Sequence, residues 1–396
     1  MRKLCLVGLT VGMIACGGAD ATTPPPQPPA PPPAPVATAE ATPAPTAAPE
    51  PAAPAPTLAD KEGATMKAFG DAMTARDTDA LGKLYTADAV IKFAGMPDQT
   101  KDAFLAHQKD HFASFPDAKG APRRIFFKND VSVVEWTMTG TNTGPGPMGA
   151  KSTGKAVGVN GLTVFWFNQD GLIKEQHEYI DVPTMMGQLG MGPKGMKTRA
   201  PATLPDGKPE VHVSKNTPDE DKNAASAAAV QKMFETHDAK AFADTSTDNI
   251  TWDDASAPAP MNGKKEMVKY FDSVTKAIPD MKMNCQTWAV DDFVIEECAM
   301  SGTNKAPMPG MKAAATNKPL NVHGVDVIQM KDGKAVSGWS YGNGMEMAVQ
   351  LGLVKPPAEK KEAGKGDKGD AAAAKKEAPK DAPKDAAKKD APKPAK

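Results

Sequence analysis

The chain has 396 residues, 38 prolines, four cysteines and a formal net charge of −1. That near-neutral balance lacks the basic footprint of a nucleic-acid binder, so no nucleic acid is expected as a partner. No apolar run reaches the roughly 18 residues that a membrane-spanning helix needs.

The first segment is Arg2-Lys3, an apolar run from Leu4 to Ile14, then Ala15-Cys16-Gly17-Gly18. A positive start, a short apolar stretch and small residues at its end describe a secretory signal. Met13-Ile14-Ala15-Cys16 resembles a lipobox with Met where Leu is usual, which makes 1–15 a signal peptide and Cys16 the lipidated residue. An ordinary signal peptide with an incidental Cys is the alternative. Under the lipobox reading Cys5 leaves with the signal, and the membrane, reached through the lipid, is a partner. No Asp follows Cys16 directly, which by convention points to the outer membrane, so the expected location is the cell envelope, facing periplasm or surface. Residues 16–59 are Pro- and Ala-rich, have little to bury and read as a disordered, extended tether. Residues 355–396 repeat Lys, Ala, Pro and Asp without aromatics and read as a disordered tail.

Between the tails the chain repeats itself. Ser-Phe-Pro-Asp at 114–117 returns as Ala-Ile-Pro-Asp at 277–280, and Thr-Met-Thr-Gly-Thr-Asn at 137–142 as Ala-Met-Ser-Gly-Thr-Asn at 299–304. Asp170-Gly171 returns as Asp332-Gly333, and Gln188-Leu189-Gly190 as Gln350-Leu351-Gly352, all at an offset near 162 residues. One domain has therefore been duplicated, over 60–196 and 219–354, with 197–218 as linker.

In the first copy, helical spacing of Met66, Phe69 and Met73 predicts a helix over 61–76. A short helix follows over 79–85 and a third over 101–114, stopped by Phe115-Pro116. Strands are expected over 124–128, 131–139, 156–168 and 172–180, with turns at Asn129-Asp130 and 169–171. The second copy gives helices over 224–237 and 264–277, then strands over 281–290, 293–301, 320–331 and 335–341. Helices first and strands afterwards predict an α+β domain, whose curved sheet leaves a concave apolar pocket for a small hydrophobic ligand.

A helix, Phe-Pro-Asp, Val-Val-Glu-Trp-Thr-Met-Thr-Gly-Thr-Asn, Thr153-Gly154-Lys155, Asp-Gly, then a Tyr-x-Asp and Gln-Leu-Gly resemble the SnoaL-like polyketide (ester) cyclases. These belong to the nuclear-transport-factor-2-like superfamily. The resemblance implies two tandem cone-shaped α+β barrels, or cystatin-like rolls; no cofactor is expected. It is weaker in the second copy, where Thr316-Asn317-Lys318 replaces Thr-Gly-Lys. It also implies a pocket Asp as general acid/base, which by its place before Gln-Leu-Gly is Asp181. Period-2 geometry puts His177 and Tyr179 on the same strand face as Asp181. His177 then joins Asp181 as catalytic candidate, with Trp136, Tyr179 and Trp166 lining a ligand pocket. The bland alternative makes Asp181 a strand terminator and His177 a rim residue. The second copy has Trp339 and Asn343 at the places of His177 and Asp181, which makes it a non-catalytic partner or binder. Domains of this fold commonly pair through their sheets, so the two copies are candidates for an internal pseudo-dimer. The function expected is a lipid-anchored protein binding a small hydrophobic ligand or partner without catalysis; the alternative is a cyclase or isomerase using Asp181.

Cys285 and Cys298 flank a turn at Asp291-Asp292 and face each other when counted outward from it, as a disulfide or as two reduced packing residues. His107 and His111 share a helix face but lack a third ligand, and Met281, Met283 and Cys285 alternate on one strand, so no metal is assigned.

Overall fold

The computed structural model describes residues 57–146, 150–192, 197–310 and 313–355. Residues 1–56, which include the expected signal segment and Cys16, and residues 147–149, 193–196, 311–312 and 356–396 lie outside the described residues.

The first copy runs α1 (Leu58–Ala75), α2 (Thr78–Gly82), β1 (Tyr85–Phe93), β2 (Gln99–Thr100), α3 (Lys101–Ser114), β3 (Lys119–Lys128), β4 (Val131–Thr141), β5 (Ala156–Phe167), β6 (Ile173–Ile180) and α4 (Val182–Gln188). After β7 (Glu210–Val213), the second copy runs α5 (Pro218–Thr236), α6 (Ala239–Asp244), β8 (Ser246–Asp254), β9 (Met261–Asn262), α7 (Lys264–Ala277), β10 (Lys282–Val290), β11 (Phe293–Thr303), β12 (Pro319–Lys331), β13 (Lys334–Gly342) and α8 (Gly344–Gln350). The order of elements is the same in both copies.

Each helix start has a local cause. Thr57 and Thr217 close capping boxes with Asp60 and Glu220, while Asp77 and Asp238 cap α2 and α6. α3 and α7 end where Pro116 and Pro279 follow one residue beyond the C-cap. The strands β1 and β8 are absent from the sequence reading. Within Tyr85–Phe93 the stretch Ala87-Asp88-Ala89 has little strand preference and interrupts the pattern, while pairing with β6 and β2 holds the segment extended.

The first sheet has the order β2-β1-β6-β5-β4-β3-β7 and the second β10-β11-β12-β13-β8-β9. Within each, β1 with β6 and β8 with β13 are parallel, closing the curve of the sheet. The linker adds β7, parallel to β3 at the sheet edge.

Both faces of each sheet are covered. Toward the helices, Phe165 and Phe167 meet Ala72, Leu81, Ile91 and Phe104. The opposite face packs against the other copy: Val133, Leu162, Val164 and Tyr179 share one core with Trp288, Ile295, Val327 and Tyr341. A sheet buried twice loses the apolar–polar alternation of a half-exposed one, and β5 is accordingly almost continuously apolar.

The repeated motifs brace the fold. Asp117 and Asp280 accept the backbone N–H of Thr141 and Thr303 at 2.6 and 2.7 Å. Asn142 and Asn304, both buried, accept the backbone N–H of Thr153 and Thr316. Gln188 pairs with both backbone groups of Gly158, and Gln350 does the same with Asn321.

Candidate functional site

The last strand of the first copy, β6, presents two different chemistries on its two faces. Glu175, His177 and Tyr179 face the second copy. His177 Nδ1 lies 2.6 Å from Glu297 and Nε2 2.8 Å from Glu175, and the Tyr179 hydroxyl donates to Glu297 at 2.7 Å. Trp166 of β5 lies on the same face, its ring 4.4 Å from His177 and 6.0 Å from Trp288 of the second copy.

Asp181 is the N-cap of α4. One carboxylate oxygen accepts the Thr184 N–H at 2.8 Å and the other accepts the Gly344 N–H of the second copy at 3.0 Å. Burial holds its pKa above the ordinary value, against the pull of those hydrogen bonds. It borders a crevice of about 10 Å³ shared with Asn160, Thr184 and Arg199, room for about one water. Asn343, its counterpart, caps α8 through the Met345 N–H and donates to Ala94 O of the first copy at 2.7 Å. Both residues are helix caps that also cross to the other copy.

The structure thus separates the residues that the sequence grouped. Of the three expected pocket residues, Trp136 alone faces the helices; Tyr179 and Trp166 belong to the contact between the copies. Period 2 was right for His177 and Tyr179, but it does not tell which of two covered faces is the concave one.

On the helix-facing side, β6 carries Gln176 and Glu178. Tyr85 of β1 donates to Gln176 Oε1, and Gln176 Nε2 donates to Glu178 at 3.2 Å. Glu178 keeps partial exposure, and burial pushes its carboxyl up to about 7. Thr163 lies opposite Glu178 on β5 and accepts the Trp136 indole N–H at 2.9 Å. The indole lies over Gly161, where a Cβ would come within 2.3 Å of the ring. A carboxyl that is half protonated near neutrality can donate a hydrogen bond or exchange a proton. Sequence reading missed Glu178 although it stands between His177 and Tyr179.

Residues 66–176 match the SnoaL-like domain family, and residues 224–351 match the SnoaL-like polyketide cyclase family. The chain is a tandem of two SnoaL-like domains. Among solved structures, IdmH of Streptomyces antibioticus, provisionally a polyketide cyclase, is 25% identical over 33% of this chain and 98% of its own, with a TM-score of 0.30. AclR of Streptomyces galilaeus, provisionally a hydroxylase, is 20% identical over 35% of this chain and 100% of its own, with a TM-score of 0.32. A SnoaL-like protein of a Jannaschia species is 12% identical over 36% of this chain and 99% of its own, with a TM-score of 0.33. No curated protein matches the chain. The fold of both SnoaL-like domains is the cone-shaped α+β fold of the nuclear-transport-factor-2-like group.

Among the described residues, no group of three or more His, Cys, Asp or Glu side chains is placed to hold a metal ion. The His107 ring lies tilted against Phe93 at 5.2 Å, and His111, brought down to about 4 by burial, lies against Phe115. Cys285 is bonded to Cys298, which sit directly opposite each other on β10 and β11. Met281 and Met283 pack into the core of the second domain.

Proposed function

We propose that the chain is a lipid-anchored envelope protein whose first domain takes up a small, mainly hydrophobic ligand, with the second domain fixed against it as an internal pseudo-dimer. Glu178 carries the reading. It is a partly exposed carboxyl on the concave face, ringed by Tyr85, Gln176, Thr163 and Trp136, with a pKa of about 7. Its neutral form donates to a carbonyl or similar acceptor, while the aromatic and apolar side chains around it take the ligand body. Anchoring rests on the Met13–Cys16 pattern and the tether behind it.

A second reading, acid–base chemistry of the cyclase or isomerase type, is favoured by the same pKa, because a catalytic acid or base works best near the operating pH. In that reading the acting group is Glu178. Asp181 is unsuited, since both of its oxygens accept backbone N–H groups.

The test is native mass spectrometry of the protein after incubation with lipid extract of its host. A small-molecule adduct on the wild type that is lost in Glu178→Leu supports uptake; an adduct unchanged by that substitution overturns it. Labelled palmitate entering the wild type but not Cys16→Ala supports the anchor, and equal labelling overturns it.

A further inference from the structure

The two sheets differ at one edge. In the first sheet β3 is covered on its outer side by β7, and its own course is broken by Pro122 and a register shift before Arg124. Its counterpart in the second sheet, β10, has no strand beyond it among the described residues. The other edge strands are short, two residues in β2 and β9 and four in β7, whereas β10 has nine. Its register with β11 is unbroken from Lys282 to Val290, and it contains no proline. Long, regular edges of this kind pair with other chains unless bulges, prolines or charges prevent it.

Alternate residues of an edge strand turn both N–H and C=O outward. The Met283 N–H reaches the Glu235 carboxylate at 3.4 Å and the Ala289 C=O accepts Lys128 Nζ at 2.9 Å. Residues 283, 285, 287 and 289 are therefore the outward ones. Those two contacts bound the open stretch. Between them the Met283 C=O, both backbone groups of Cys285 and the Thr287 N–H face outward with no strand to meet them. That set is its own complement about Cys285.

We propose that this edge pairs with the same edge of a second copy of this chain, β10 against β10 and antiparallel, about a two-fold axis at Cys285. In that register Cys285 meets Cys285 by two hydrogen bonds, and each Thr287 N–H donates to the Met283 C=O of the other chain. Neither bounding contact is disturbed. Asn284 and Gln286, both exposed, come opposite each other twice, in non-hydrogen-bonded pairs where side chains lie closest. Amide thus meets amide. Met-Asn-Cys-Gln-Thr at 283–287 holds no charge to oppose the approach, and Lys282, just outside, lies 3.7 Å from its own Glu235. The bond from Cys285 to Cys298 ties the strand to β11 at the axis itself. Two six-stranded sheets become one continuous sheet, by a contact separate from the face-to-face packing that joins the copies within one chain.

The test is sedimentation velocity over a concentration series, on the chain from residue 16 onward carrying Cys16→Ala, which keeps lipid out of the measurement. A reversible monomer–dimer equilibrium is expected. Asn284→Lys with Gln286→Lys sets like charges opposite each other twice and should weaken the dimer by about tenfold. Asn284→Glu with Gln286→Lys sets opposite charges there and should restore or exceed the wild-type affinity. Both side chains are exposed, so the unfolding midpoints of these variants should stay level. Thr287→Pro, which removes an outward N–H and no bond to β11, should abolish pairing. A chain that stays monomeric overturns the inference, as does a dimer indifferent to both double variants. A dimer weakened equally by the two double variants overturns the register about Cys285, and the inference with it. Should Thr287→Pro not fold, the charge variants decide alone.

Discussion

The Tyr341 hydroxyl donates to Glu135 at 2.7 Å, joining the last strand of the second domain to the first. Residues at the same places in the other copy repeat the contact in reverse, from Tyr179 to Glu297 at 2.7 Å. Two copies of one patch that contact each other reciprocally are the signature of a two-fold interface. The partners of the two carboxylates differ: Arg124 holds Glu135 by two hydrogen bonds and lies 3.6 Å over the Trp339 ring, whereas the His177 ring lies against Glu297.

That asymmetry predicts unequal costs. Glu135 is 1% exposed and Glu297 11%. A hydrogen bond to a buried charge contributes about 1.5–3 kcal/mol. Tyr341→Phe should destabilise the protein by that amount and Tyr179→Phe by less, both read from urea unfolding at pH 7. Equal, negligible effects would mean that the two domains are not held by this pair.

Asp181 and Glu178 should behave oppositely. Asp181→Ala removes an N-cap, worth about 0.5–2 kcal/mol, and also strands the Gly344 N–H at the domain contact. Glu178→Gln keeps the shape and removes a carboxyl that burial already disfavours. We expect Asp181→Ala to lower the denaturation midpoint while Glu178→Gln leaves it level or raises it. The reverse ranking would return Asp181 to the list of functional acids.

The motifs that make the family legible in the sequence are those that brace it. Asp117, Asn142 and Gln188 each bond the backbone of another segment, and so do Asp280, Asn304 and Gln350. Their fixed spacing followed from fixed backbone geometry, which is why α3 and α7 and the central strands could be placed from sequence. The acid is under no such constraint. In the second copy Ser340 stands in the place of Glu178, and the carboxyl beside it, Asp326, comes from the facing strand, so the two acids share no sequence position. An alignment of the copies by their motifs pairs Asp181 with Asn343 and overlooks both acids. Nor could periodicity separate Glu178 from His177, because helices cover one face of β6 and the second sheet covers the other.

The disulfide occupies the place that Trp136 fills in the first domain, between strands β10 and β11. It closes a sequence separation of 13 residues. Loops of that order restrict the unfolded chain by about 3 kcal/mol. Reduction, or the double substitution Cys285→Ala with Cys298→Ala, should lower the urea midpoint accordingly. A midpoint unchanged by reduction, with both thiols shown free by alkylation, would mean that the bond does not stabilise the fold.

Glu62 gives the fold an unusual response to pH. It is fully buried in α1, and neither carboxylate oxygen has a hydrogen-bond partner among the described residues. Burial, with the Asp130 charge second, raises its pKa from 4.5 to about 7. Between those values the folded state binds more protons than the unfolded state. Stability must therefore fall as pH rises from about 4.5 to about 7, and level off above that. Glu178 and Asp326, raised to about 7 by burial, act in the same sense. Glu62→Gln removes the penalty of the ionised form, so wild type and variant should melt together near pH 4.5 and diverge as pH rises to 8. An unpaired buried polar group costs about 1–3 kcal/mol, equivalent to roughly 2–4 °C per kcal/mol in a chain of this size. A constant difference between the two proteins from pH 4.5 to 8 would show that Glu62 does not titrate in this range.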